Sequence, residues 1–149
     1  AGRASLEREV AAKKLPNVLF RAYQPRDQLR FSLTLGDVHL AALKPELEGL
    51  IVPSKAYGIF AAGRPMIFMG ANDGELGRLL LESGCGEVVP SGEGRALASS
   101  ILRMMGNRER TKAMGRRARE LFDQRFSKAV ALGAWEKLLG EAGAGRTGD

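Results

Sequence analysis

"DVHLAALKPELEGLIVPSKAYGIFAAGRPMIFMG", residues 37–70, decides how this 149-residue chain folds. Two short apolar runs, "DVHLAAL" (37–43) and "PMIFMG" (65–70), have the length and composition of buried strands. Between them lies a loop with Glu46, Glu48 and Gly49, and then "PSKAYGIFAAG", a helical stretch that Gly63 and Pro65 stop. A strand, a loop, a helix and a second strand form one βαβ unit, so the two strands are parallel and the sheet is covered by helices.

The same alternation continues on both sides. Upstream, residues 4–13 read as a helix with Leu6 and Val10 on one side. "NVLF" (17–20) follows Pro16 as a strand, and "QPRDQLRFSLTLG" reads as a helix with Pro25 at its start, Leu29 and Leu33 at i, i+4, and Gly36 at its end. Downstream, "NDGELGRLLLESG" has an Asn/Asp cap, aligns Leu76, Leu79 and Leu80, and stops at Gly84; "GEVVP" (86–90) is a fourth strand. Helices are expected over about 93–106, 108–124 and 127–140. The small, polar segment 141–149 reads as a frayed tail. The fold expected is α/β, a Rossmann-like doubly wound parallel sheet over residues 1–140, with the last helices packed at its end.

Composition narrows the function. With 44% hydrophobic and 27% charged residues the chain is an ordinary globular domain. It has no apolar run long enough for a membrane span and no signal-peptide pattern at its start. The single cysteine, Cys85, forms no internal disulfide and suits a reducing, cytoplasmic setting; it sits at the end of an apolar helical pattern, as a buried thiol does. One cysteine and one histidine, His39, assemble neither a zinc cluster nor a Cys–His pair. The net charge of +6 is concentrated between Arg103 and Lys128, with nine basic residues against three acids. Such a run is a solvated helix face or an attraction to an anionic surface. Ala1 opens the chain without an initiator Met and in helical character, as an excised piece of a longer polypeptide would.

In a parallel sheet of this kind ligands bind at the carboxyl ends of the strands. The loops expected there are 21–25, 43–54, 70–74 and 90–94, of which 43–54 is the longest. Helices starting near Ser54-Lys55 and near Asp73-Gly74 point free N–H groups and partial positive charge at this rim, which suits phosphate, and Lys55 adds a full charge. Gly70 and Gly74 permit close approach to the backbone. Glu46, Glu48 and Glu75 can accept hydrogen bonds from the vicinal hydroxyls of a sugar. Together these suggest a sugar–phosphate or nucleotide-sugar ligand. The same carboxylates serve equally well as loop solubilisers and, for Glu75, as a helix-dipole partner.

"LPNVLFRAYQPRDQL", "GDVHLAALKPELEGLIVPSKAYGIFAAGRPMIF" and "GANDGELGRLLLESGCGEVV", in this order, resemble the C-terminal lobe of GT-B glycosyltransferases, most closely the retaining family-four type that assembles bacterial polysaccharides. The resemblance covers about residues 15–140, and Asp37–Phe68 is its specific part. It implies that the loop with Glu46, Glu48 and Gly49 reaches the donor sugar, with Glu46, Glu48 and Lys55 as the catalytic candidates. Ser54, Lys55 and Tyr57 then belong to the helix beside the nucleotide diphosphate. Gly70, Asp73, Gly74 and Glu75 form the turn at the sugar and diphosphate, and Tyr23 and Gln24 lie beside the base. Gly58 departs from the pattern, because many relatives carry there a glutamate that holds the ribose hydroxyls. The implied reaction moves a sugar from a nucleotide diphosphate to an acceptor hydroxyl with retention, using no metal and no cofactor; no Asp-x-Asp metal motif is present. The implied partners are the nucleotide sugar and the N-terminal acceptor lobe of the same polypeptide. Without that lobe, and with the lobe's first strand expected to lie before Ala1, weak donor binding and no turnover are expected of this piece.

Three other classes compete. A phosphorelay receiver needs an Asp at a strand's carboxyl end, whereas Asp37 opens its strand. A GT-B-like sugar-nucleotide epimerase would need acids and a histidine on the rim, and His39 lies within a strand. A nucleic-acid module would interleave aromatics with the basic residues, but only Phe122 and Phe126 occur there, at core-like spacing; no nucleic-acid partner is expected. For a transferase acting on lipid-linked acceptors, Arg103, Arg108, Arg110, Lys112, Arg116 and Arg117 would hold the enzyme against anionic lipid at the inner face of the membrane.

Overall fold

The computed structural model describes residues 2–144. Three parallel strands, β1 (His39–Ala42), β2 (Met66–Met69) and β3 (Gly86–Val89), lie in that order across one sheet. Main-chain bonds from His39 N to Pro65 O, Leu43 N to Met69 O and Gly70 N to Val89 O extend the ladders at both ends. The central strand alternates between two packed layers. Met66 and Phe68 join Ile59, Phe60, Leu76, Leu80, Ala118 and Leu121 on one face, while Ile67 joins Val89, Met104 and Met114 on the other. Burial of β2 on both sides is what a doubly wound parallel sheet requires.

Helices α3 (Lys55–Ala61) and α4 (Glu75–Ser83) cover the first face, and α5 (Gly94–Gly106) covers the second. Helix α6 (Arg108–Arg125) gives residues to both layers. Helix α4 stops because Gly84 adopts φ +60°, a left-handed turn that a side chain would strain. The basic run of α6 finds specific partners. Arg117 Nε donates to Gly84 O, and Arg119 Nη1 donates to Ala61 O, so two arginines satisfy carbonyls where α4 and α3 end. Glu87, on β3, receives Ser100 Oγ from α5 and ion pairs from Arg103 at 2.7 Å and Arg110 at 3.5 Å. Four arginines of the charge run are therefore tied to partners within the domain, although their side chains remain exposed. Helix α7 (Lys128–Ala144) packs on α6 and leaves Leu132, Trp135, Leu138 and Leu139 exposed.

Four expectations need correction. "NVLF" forms no strand: residues 17–20 are irregular, and Leu19 is 72% exposed. A strand exists through its ladder partner, and the outer edge of β1 is unpaired among the described residues, so propensity alone does not suffice. The sheet accordingly has three strands rather than four. The helix over 25–36 splits into a 3-10 turn (Arg26–Gln28) and α2 (Leu29–Leu35). The helix after Gly70 is capped by the Gly74 backbone, without a side-chain cap from Asn72 or Asp73. The last helix runs on to Ala144, so only residues 145–149 of the expected tail remain, and these lie outside the described residues.

Candidate functional site

The carboxyl ends of β1 and β2 release the two loops in which most of the candidates sit. After β1 the chain makes a 3-10 turn over Pro45–Leu47, and Gly49 follows at φ +77°. This doubling back carries Glu48 across to the turn that follows β2. There Glu48 Oε1 accepts a hydrogen bond from Ala71 N at 3.1 Å. A Cβ on Gly70 would lie 2.9 Å from Glu48 Oε1, and one on Gly74 would collide with Glu48 Oε2. At Gly70 the Phe68 ring already excludes a Cβ and Glu48 adds to the crowding, whereas at Gly74 Glu48 is the nearest neighbour.

Beside this clasp lies a cavity of about 110 Å³, lined by Leu43, Glu48, Gly49, Pro53, Glu75 and Leu76 among others. It brings Glu48 and Glu75, 27 positions apart in the chain, to the same hollow. The first turns of α3 and α4 begin at its margin, and neither Ser54 nor Gly74 supplies a side-chain cap. In the first turn of α3 the Ala56 amide is already bonded to Pro53 O, so it is the start of α4 that offers uncapped amides to an oxygen-bearing ligand.

Other candidates are dispersed. Glu46 is exposed and faces Lys44 at 3.8 Å. Ser54, Lys55 and Asp73 are exposed along the rim. Tyr57 turns its ring onto Phe126, 4.9 Å between centroids, and so joins α3 to the chain between α6 and α7. Tyr23 is 95% exposed, and Gln24 Nε2 donates to its neighbour Ala22 O; with no strand at 17–20, nothing anchors their loop to the rim. Gly58 looks toward α2, where a Cβ would stand 3.2 Å from Leu33 Cδ1. A glutamate at that position would press on Leu33, so a packing contact occupies the space.

His39 opens β1 at the amino end, away from the rim, and its Nε2–H donates to Leu33 O at 2.8 Å. Burial, opposed in part by that bond, lowers its pKa, and the charges of Lys55 and Arg64 add to the lowering. A neutral histidine tied to a helix carbonyl is not placed to act with the rim acids. Cys85 is fully buried, and burial raises its thiol pKa despite the hydrogen bond from Ser83. Phe122 and Phe126 pack against the core. Sequence reasoning missed Ala71, whose amide fixes Glu48; only the folded turn makes a main-chain donor visible.

No protein-family model matches the chain. WbjE, described as a probable glycosyltransferase of Pseudomonas aeruginosa, is 31% identical over 108 residues, which are 72% of this chain and 26% of that protein. Sucrose-phosphate synthase from Thermosynechococcus elongatus matches with a TM-score of 0.77 and 24% identity, over 94% of this chain and 35% of its own. HepE of Anabaena, solved in complex with UDP-glucose, matches with a TM-score of 0.69 and 20% identity, over 92% of this chain and 36% of its own. The chain thus spans 26% of the curated relative and 35–36% of these two solved chains. The fold is that of the C-terminal lobe of a GT-B glycosyltransferase, and the sequence is similar to that of a glycosyltransferase.

Proposed function

We propose that this domain is the donor-binding half of a retaining glycosyltransferase, which moves a sugar from a nucleotide diphosphate to an acceptor hydroxyl in polysaccharide or glycolipid synthesis. The observation that carries the reading is the Glu48 clasp: a carboxylate held by the Ala71 amide, beside Glu75 and the uncapped start of α4. A carboxylate restrained in this way has a defined direction in which to accept sugar hydroxyls, and it loses little conformational entropy on doing so. Amides at the start of α4 and the ammonium of Lys55 are suited to the charge that develops on a departing diphosphate. This scheme needs no metal.

Glu46, exposed beside Lys44, serves at the outer edge of the sugar, while Ser54 and Lys55 flank the diphosphate. The acceptor would be held by an N-terminal lobe of the same polypeptide, so the domain alone binds donor without turning it over. Work at the cytoplasmic face of the membrane fits such a partner lobe. For direct contact with anionic lipid, the basic helices offer chiefly Arg108, Lys112 and Arg116, since Arg103 and Arg110 hold Glu87 and Arg117 holds Gly84 O.

Calorimetry with UDP-, GDP- and dTDP-sugars tests the reading. One of the three should bind, and Glu48→Gln or Lys55→Ala should weaken it by about tenfold, the value of one lost charge-assisted contact. If all three donors leave parent and variants indistinguishable, the site assignment is wrong.

A further inference from the structure

At the opposite end of the strands, where residues 37–38 enter β1 and 63–65 enter β2, lies a second cavity of about 170 Å³. Three cations line it: Arg64 from the loop before β2, and Arg108 and Lys112 from the first turns of α6. One carboxylate, Asp37, stands among them. The Arg64 guanidinium is held from one side, with its Nη2 donating to Thr34 O, but its Nε is buried without a hydrogen-bond partner among the described residues. That Nε is shut off from solvent, so Arg64 contributes the charge of its guanidinium to the cavity rather than this donor. Arg108 makes no ion pair among the described residues, while the exposed pairing of Lys112 with Glu109 is weak and readily exchanged.

The floor of this cavity is apolar, formed by Val38, Pro65, Met104 and Met105. It opens into a groove that shares Asp37, Val38 and Met105 and continues along Leu40 and Ile101, almost without polar surface. One cleft therefore offers three positive groups at one end and an apolar trough at the other.

We infer that this cleft binds a small soluble phosphomonoester with a short apolar body, its phosphate among Arg64, Arg108 and Lys112 and its apolar part along Met105, Leu40 and Ile101. Arginine with lysine around a single anionic group is the arrangement that phosphate contacts favour. A bilayer is a poorer fit. The cleft is concave, so a flat anionic surface meets its rim before its cations, and Asp37 in its lining adds a repelling charge. This site lies at the amino ends of the strands, so it is separate from the rim and does not depend on the proposed transferase chemistry.

Titration of the isotope-labelled chain with hexyl phosphate, followed by amide NMR, tests the inference. Saturable shifts are expected at Met104, Met105 and Arg108, with Ala71 and Gly74 unmoved. Inorganic phosphate and 1-hexanol, each carrying half of the chemistry, should bind at least about tenfold more weakly. Arg108→Gln, whose side chain makes no hydrogen bond that folding needs, should weaken hexyl phosphate about tenfold, and Lys112→Gln should weaken it less. Equal binding of hexyl phosphate and 1-hexanol, shifts confined to the rim, or an Arg108→Gln variant that melts and binds like the parent would each overturn the assignment. Cosedimentation with phosphatidylcholine vesicles containing phosphatidate, displaced by hexyl phosphate, would reassign the cleft to a lipid and overturn the soluble source.

Discussion

Residues 39–121 and residues 2–35 have similar appetites for apolar surroundings and opposite fates. The first region buries Ile59, Phe60, Met66, Ile67, Phe68, Leu80 and Cys85 completely. The second buries nothing fully: α1 (Gly2–Ala12) leaves Leu6 55% exposed, and Phe31 and Leu35 of α2 are exposed as well. The difference is not one of composition. In the first region each strand has a neighbour and each helix has a sheet face, so apolar area removed from water is counted on both sides of a contact. In the second, α2 touches the core chiefly through Leu33, and "NVLF" has no ladder to join. An apolar pattern contributes stability only when a partner surface completes it.

The sharpest way to break this contrast is to truncate one aromatic in each region. Phe60→Ala should cost about 3–5 kcal/mol by urea denaturation, because a fully enclosed ring leaves a cavity behind. Phe31→Ala, at 57% exposure, should stay within about 0.5 kcal/mol. Comparable losses at both sites would show that the N-terminal segment shares the core after all.

Next in size is the Glu87 network, which fastens α5 and α6 to β3. Removing the fully buried Ser100 hydroxyl as Ser100→Ala should cost about 1–3 kcal/mol, since it strips a partner from a shielded carboxylate. Burial pushes the Glu87 pKa up, but the bonds from Ser100 and Arg103 and the charges of Arg103 and Arg110 outweigh it and hold the pKa below 4.5. A folded-state pKa below the unfolded one means that this stabilisation is present above about pH 4.5 and is lost as the pH falls through the folded value. Glu87→Gln should therefore flatten the acid limb of the stability profile; an unchanged limb would remove Glu87 from the account.

A smaller effect is expected at the rim. Gly74→Ala forces a methyl into Glu48 Oε2, and displacing that carboxylate should cost about 1 kcal/mol while weakening any donor sugar. If Gly74→Ala retains both the stability and the donor affinity of the parent, the clasp is not what positions Glu48.

The smallest effect belongs to His39. Its pKa is lowered in the fold, so the unfolded chain takes up the proton first, and stability should slip as the pH falls below 6.5. Thermal melts at pH 7.5 and 5.5 should show a smaller difference for His39→Asn than for the parent. An equal difference would assign the pH response elsewhere.

The alternation of short apolar runs with helix-period segments determined three parallel strands, the helices that cover them, and the rim on which Glu48, Lys55 and Glu75 lie, because period and punctuation are local properties of a chain. The tertiary structure decided the rest. It withheld a strand from 17–20, since pairing is a property of two segments, and it turned Tyr57 onto Phe126 rather than toward the rim. It spent much of the basic run on helix-end carbonyls and on Glu87. Gly70 and Gly74 show the division most clearly. Their identity could be read from the sequence, but the reasons, the Phe68 ring folded against Gly70 and a carboxylate reaching Gly74 from 26 positions away, exist only when the loop after β1 has closed over the turn after β2.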